Sequence, residues 1–228
     1  GGTPYGVYTP YFRRWLERVV AAAHVPLPAP EHLPPAPEWI EPLISGSTEF
    51  GGELRVDRAS LDRAAAPTAQ VDLLPRPGER AARAVADAWI AAAHRGDGVA
   101  AYAARRNTLA DESGTSRLSA ALHLGLLSAS ELVARLLPLP AERSGERSGE
   151  RLWVSQLAWR DFYAQVLWHA PHAARSAWKP AYDAVEWSGD AAALAAWREG
   201  RTGYPIVDAA ARQLLQSGFM HNRARMIS

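Results

Sequence analysis

Proline sets the layout of this chain. It recurs at Pro26, Pro28, Pro30, Pro34, Pro35, Pro37 and Pro42, within the run VPLPAPEHLPPAPEWIEPLISGSTEFGG, and short polar pieces follow as far as Pro77. Each proline removes a backbone donor and fixes φ, so neither a helix nor a central strand survives that density. The stretch is expected to be an irregular linker with helical patterns on either side.

Upstream, residues 10–24 (PYFRRWLERVVAAAH) place Phe12, Trp15, Leu16 and Val19 on one stripe of a helix. Downstream of LPRPGE, residues 79–94 read as a second helix. Ser128 with Glu131 three places on has the spacing of a capping box. Residues 150–169 form a long helical pattern, and 190–199 a shorter one ended by Gly200. Pro205 opens a last pattern that runs to about Gln216, with Gly218 as its stop. The near-duplicated ERSGERSGE at 142–150 reads as an exposed polar loop without a function of its own. No stretch alternates with the period of two that a strand requires. The expected fold is all-α, with a helix and Pro-rich linker over 1–77 and a helical domain over 78–228.

Composition excludes more than it selects. The 228 residues carry 25 basic and 24 acidic side chains, a formal charge of +1, so nucleic-acid binding must rest on local clustering. From Trp197 to Ser228 the arginines 198, 201, 212, 223 and 225 face only Glu199 and Asp208. There is no cysteine, which excludes disulfides and thiolate metal sites and fits a reducing cytoplasm; no metal site is expected. No apolar run is long enough to cross a membrane. Tryptophan is the unusual residue, with nine copies. Trp153, Trp159, Trp168, Trp178, Trp187 and Trp197 crowd into one segment, for which the default reading is a bulky core.

Three stretches could carry chemistry, one of them the basic tail from Trp197 to Ser228, for which a solvated face is the alternative. Gly114-Thr115-Ser116-Arg117 runs into Leu118 and Ser119 at a helix start. Free backbone N–H groups and hydroxyls there suit a phosphate, although Thr115 or Ser116 could simply cap the helix. In WVSQLAWRDFYAQVLW, residues Gln156, Trp159, Arg160 and Tyr163 share one helical face. An amide, an indole, a guanidinium and a phenol together suit a planar, hydrogen-bonding ligand beside a phosphate. An amphipathic helix with a snorkelling Arg160 is the alternative.

In order along the chain, GTSRLS, LAWRDFY, YDAVEW, AWREGRTGYPIVDAAARQL and GFMHNRARM resemble the DNA photolyase and cryptochrome family, and TPYFRRWL resembles the segment that leaves its antenna domain. The ending MHNRARM is closest to the cyclobutane-dimer photolyases. The resemblance implies the N-terminal part of a helical FAD-binding domain, and a chain that is an internal piece of a longer protein. It implies FAD as cofactor, held at Tyr102, Thr115, Ser116, Arg117, Leu118, Ser119 and Arg225. Damaged DNA is the implied partner, met by Arg106, Gln156, Trp159, Arg160, Asn222, Arg223 and Met226. Trp187 matches the surface end of the family's electron-transfer tryptophans, and Trp187 and Gln156 are the candidate catalytic residues. The implied activity is that of a carbon–carbon lyase that repairs cyclobutane pyrimidine dimers by electron transfer from reduced FAD under light. A monomeric cytoplasmic protein is expected. Gln156 departs from the glutamate usual in dimer photolyases: an amide can donate a hydrogen bond but cannot supply a proton. Alternatives are a cryptochrome-like blue-light receptor and a fragment unable to hold FAD.

Overall fold

The computed structural model describes residues 4–21, 30–32, 34–35, 76–139, 148–186 and 188–228. The chain divides into two compact units, Gly1–Pro26 with Pro75–Ser228, and Leu27–Leu74. Most of the Pro-rich linker, part of the ERSG repeat and Trp187 lie outside the described residues. Among the described residues every regular element is helical, as the patterning requires.

The described residues of the first unit form nine α-helices: α1 (Tyr8–Ala21), α2 (Glu79–Ala91), α3 (Tyr102–Arg105), α4 (Ser119–His123), α5 (Ala129–Ala134), α6 (Gly149–His169), α7 (Ala191–Arg198), α8 (Pro205–Ser217) and α9 (Asn222–Ile227). Local signals account for most of the bounds. Ser128 caps α5 by accepting from the Glu131 N–H, and Asp190 caps α7 by accepting from the N–H groups of Ala192 and Ala193. Pro205 occupies the first turn of α8, and Gly218 closes it in the left-handed conformation at φ 65°.

Helix α6 organises the unit. It packs against α1, α3 and α5, and its inner face contributes Trp153, Val154 and Leu157 to the main core. Val19 of α1, Ala86 and Trp89 of α2, Val99, Tyr102, Leu118, Leu122, Leu132 and Val133 also belong to that core. The repeat at 142–150 is not loop to its end. Ser148 caps α6 by accepting from the Arg151 N–H, and Gly149 is buried. A β-carbon at Gly149 would lie 2.2 Å from the carbonyl oxygens of Val99 and Ala100, so only glycine lets the start of α6 approach that backbone. The glycine of a low-complexity repeat is therefore a packing residue.

Helices α7, α8 and α9 are joined by polar anchors. Asp208 is buried and accepts from the Thr202 N–H and Oγ1, both at 2.7 Å, and from the Gly203 N–H at 3.0 Å. The Thr202 hydroxyl, those backbone donors and nearby Arg212 hold its carboxyl below the usual range. Arg212 donates to the Gly200 carbonyl, and the Trp197 indole donates to the Ser228 carbonyl. Ala210, Met220 and Ala224 form a small second core there.

The tryptophan cluster is not a core. Trp153 is buried, but Trp168, Trp178 and Trp197 are exposed and Trp159 is half-buried. Position along α6 explains this: Trp153 lies near its start, in the main core, whereas Trp168 lies in its last turn, beyond Leu157, the last residue of the helix in that core.

Candidate functional site

A cavity of about 750 Å³ opens between α4, the inner turns of α6 and the start of α9. That volume is in the range of small-molecule sites. All seven residues expected at the flavin line it: Tyr102, Thr115, Ser116, Arg117, Leu118, Ser119 and Arg225. Gln156, Arg160 and Asn222 from the expected lesion set line it too, as do Trp153, Leu157, His123, Phe219 and Met220. Among the described residues three guanidinium groups and no carboxylate line this space, so its field favours an anion.

The loop 115–119 is held by side chains, not by capping. Leu118 occupies the cap position of α4 with no side-chain bond, so neither Thr115 nor Ser116 spends its hydroxyl there. The Ser116 Oγ instead accepts from the Trp153 indole N–H at 3.3 Å. Among the described residues Arg117 is the non-glycine residue with positive φ, at 53°, a conformation that persists only where the surroundings enforce it. Its guanidinium lies over the Phe219 ring at 4.7 Å and pairs with Glu112 at 3.6 Å.

Helix α6 splits its mixed polar face in two. Gln156 and Arg160 belong to the cavity wall. The Gln156 amide donates to the Leu152 carbonyl and the Ser155 hydroxyl, and Arg160 donates to the Leu122 carbonyl at 3.1 Å. Trp159 turns towards α1, with Tyr163 stacked beside it at 5.5 Å. The Trp159 indole is stacked on Tyr8 with ring centres 3.6 Å apart and planes 7° from parallel.

The remaining expected residues of the described chain lie around the cavity without lining it. Arg106 sits over the Tyr102 ring at 5.2 Å, and the Arg223 Nε donates to the Asn107 side chain at 2.8 Å. Met226 is 68% exposed. Burial raises the Tyr102 phenol above its ordinary pKa, the charges of Arg106 and Arg223 pulling the other way, so Tyr102 is a neutral donor. His221 caps α9 through Nδ1, which accepts from the Arg223 N–H, while its Nε2 is buried and its ring lies beside the Arg106 backbone. Burial, then the Arg223 charge, push the His221 imidazole below its ordinary pKa, against the Arg106 backbone. It is therefore neutral near pH 7.

Trp153, His123, Phe219 and Met220 are lining residues that sequence reasoning did not single out as site residues. Trp153 was findable, since it lies three positions before Gln156 on the same helical row. Phe219 and Met220 reach the cavity through the turn between α8 and α9; Gly218 marks that turn in the sequence but not what its residues meet.

Comparison with known proteins agrees with this geometry. Residues 153–228 match the family model described as the FAD binding domain of DNA photolyase. The chain is 40% identical over 222 residues to a deoxyribodipyrimidine photo-lyase of Thermus thermophilus, covering 97% of this chain and 43% of the relative. It is 38% identical over 235 residues to the enzyme of that name from Streptomyces griseus, covering 100% of this chain and 43% of the relative. It thus spans less than half the length of these curated relatives. The class III photolyase of Agrobacterium tumefaciens superposes with a TM-score of 0.63 at 28% identity, over 99% of this chain and 43% of that one. The Synechocystis cryptochrome superposes with a TM-score of 0.57 at 28% identity, over 66% of this chain and 30% of that one. The loop 115–119, helix α6 and the α8–α9 turn are gathered around one cavity, residues 153–228 match the FAD binding domain of DNA photolyase, and the chain is similar to deoxyribodipyrimidine photo-lyases over nearly all its length.

Proposed function

We propose that this chain forms the phosphate cradle and one wall of the lesion pocket of a deoxyribodipyrimidine photo-lyase, which splits cyclobutane pyrimidine dimers in DNA under light. One observation carries the reading: Arg117, Arg160 and Arg225 converge with Thr115, Ser116 and Ser119 on a cavity that no carboxylate of the described residues lines. Guanidinium forks and hydroxyls are the donors a pyrophosphate needs, and Trp153, Leu157 and Phe219 supply apolar wall for the rest of a dinucleotide. The residues present thus fit FAD. When bound and reduced, that group supplies the electron delivered on illumination.

The chain's own residues bind and orient. The Tyr102 phenol and the loop 115–119 hold phosphate oxygens, and Arg225 sits on the same cavity wall. Gln156 belongs to the wall that meets the lesion; its two amide N–H groups are bonded to Leu152 and Ser155, so one must exchange its partner to donate to a pyrimidine carbonyl, and an amide cannot protonate that carbonyl. Arg160 and Asn222 close the wall beside it, with Arg106, Arg223 and Met226 outside the cavity towards the strand. Arg106 and Arg223 would each neutralise phosphate and so steepen the salt dependence of DNA binding. Trp187, outside the described residues, is proposed as the solvent-side end of the electron path that reduces oxidised flavin.

The test uses a full-length protein carrying this sequence, with an oligonucleotide containing one cyclobutane thymine dimer. The expected result is tighter binding of dimer DNA than of undamaged DNA, and dimer loss only under illumination. Removing Arg223 should lower the slope of log affinity against log salt by about one. The likeness to the Synechocystis cryptochrome supports a second reading, a flavin-bearing light receptor. Equal affinity for damaged and undamaged DNA would favour that reading and sink the first.

A further inference from the structure

The N-terminal helix, which the sequence places with the linker, reaches the expected lesion side of α6. Trp159 meets Tyr8 face to face, with ring centres 3.6 Å apart and planes 7° from parallel. The neighbouring pairs Tyr8–Phe162, Tyr11–Phe162 and Trp159–Phe162 are edge-to-face at 5.8, 5.4 and 5.4 Å, the usual way aromatic rings fill a core. A fully overlapped pair differs in consequence: it fixes the plane of the indole and occupies one of its two faces.

Tyr8 is itself held. Its hydroxyl donates to the Ser155 backbone carbonyl at 2.6 Å, one helical turn before Trp159, and Phe12 stacks on it at 5.6 Å. Helix α1 is in turn tied to α6, because the Trp15 indole N–H donates to the Asp161 carboxylate at 2.8 Å. The flanking residues Gln156 and Arg160 both line the cavity, so the orientation of this one indole decides what a base beside them can stack on.

We infer that Tyr8 is a positioning residue for base recognition: it backs Trp159 and, with Tyr163 stacked beside the indole at 5.5 Å, sets the plane in which an extruded pyrimidine meets it. This rests on the proposed reading of Trp159 as the lesion-stacking residue. The role is one of alignment, since Tyr8 would not touch the ligand. Losing it would leave the indole present but free to tilt, weakening stacking without removing it.

The experiment compares Tyr8→Leu, Tyr8→Phe and Trp159→Ala in a full-length protein carrying this sequence, using one oligonucleotide with a cyclobutane thymine dimer and its undamaged counterpart. Tyr8→Leu should weaken dimer-DNA binding about fivefold, the scale of a lost aromatic pair. Affinity for undamaged DNA and the repair rate at saturating substrate should stay unchanged. Tyr8→Phe keeps the ring and should remain within about twofold of the parent. A merely structural Tyr8 would instead lower both affinities together, or the thermal midpoint alone. If Tyr8→Leu is too unstable to assay, Tyr8→Met keeps an apolar side chain without a ring and is judged by the same thresholds. Normal dimer discrimination in the Leu or Met variant, alongside lost discrimination in Trp159→Ala, overturns the inference and leaves the lesion reading intact. Normal discrimination in Trp159→Ala removes the lesion reading, and the inference with it.

Discussion

The guanidinium of Arg117 rests 4.7 Å from the centre of the Phe219 ring while Arg117 holds a φ of 53°. This contact ties the loop 115–119 to the turn between α8 and α9, two segments about a hundred residues apart in sequence. Cation–π contacts contribute about 0.5–1 kcal/mol at exposed sites. Phe219→Leu should therefore weaken FAD binding about threefold while barely changing riboflavin binding, because riboflavin lacks the phosphates this loop would hold. Phe219→Trp offers a better face for the cation and should preserve or tighten FAD binding. Fluorescence titration with both ligands distinguishes these outcomes; an equal loss for both would locate the effect at the flavin ring instead.

Acidification should loosen the α8–α9 turn first. The folded chain keeps His221 neutral, its pKa below the ordinary value of 6.5 because the ring is buried. The unfolded chain takes up a proton at the ordinary value, so stability is fully present above about pH 6.5 and declines as pH falls from there through the folded pKa. Asp111, held at about 2 by the Arg105 side chain, and Asp208 lose their contribution only at lower pH, around and below ordinary carboxylate values. Thermal midpoints measured from pH 8 to 5 should fall for the parent protein and flatten for His221→Gln. A decline of equal slope in the variant would assign the effect to another group.

Gly149→Ala should destabilise the chain by about 1–3 kcal/mol, the usual cost of forcing a group into packed space. The added methyl would meet the Val99 and Ala100 carbonyl oxygens at 2.2 Å, and backbone cannot swing aside as a side chain can. Urea unfolding with an unchanged m-value and a lowered midpoint is the expected signature. An alanine variant as stable as the parent would show that α6 can start elsewhere.

Trp187→Phe should abolish light-driven reduction of oxidised flavin in the presence of an external reductant, and leave dimer repair by chemically reduced enzyme nearly unchanged. The first depends on a path for electrons from solvent; the second does not. Absorbance at the flavin bands under illumination gives the answer, and normal photoreduction would make Trp187 a packing residue.

What could be read without coordinates follows the range of the signal. Helix bounds at Ser128, Pro205 and Gly218 come from a capping hydroxyl, a fixed φ and a left-handed backbone acting within one turn, so the local sequence carries them. The loop 115–119 is marked by hydroxyls at a helix start, and Gln156 and Arg160 by a shared helical face; the structure places all of them on one cavity. The Tyr8–Trp159 stack joins residues on opposite sides of the proline segment, and no periodicity reports such a contact. The positive φ of Arg117 is invisible because the sequence offers no glycine there to mark it. The tryptophan cluster misled for a related reason: composition records how much apolar surface exists, not which stretch of a helix is packed. Trp153 and Trp168 sit on one helix and differ from 4% to 83% in exposure.

Gln156 and Arg160 in the cavity wall, and Trp159 on the adjoining face of α6 against Tyr8, keep their relative angles through the helix backbone alone. Each residue turns the helix by about 100° and advances it by about 1.5 Å. The azimuth of all three is therefore counted from the point where Ser148 and Gly149 dock the helix onto the Val99–Ala100 backbone. A single residue inserted between Gly149 and Gln156 would change no side chain in the cavity wall. It would still swing Gln156 and Arg160 out of the wall and carry Trp159 off the Tyr8 ring in the same motion. Within this segment, length would be under tighter constraint than residue identity.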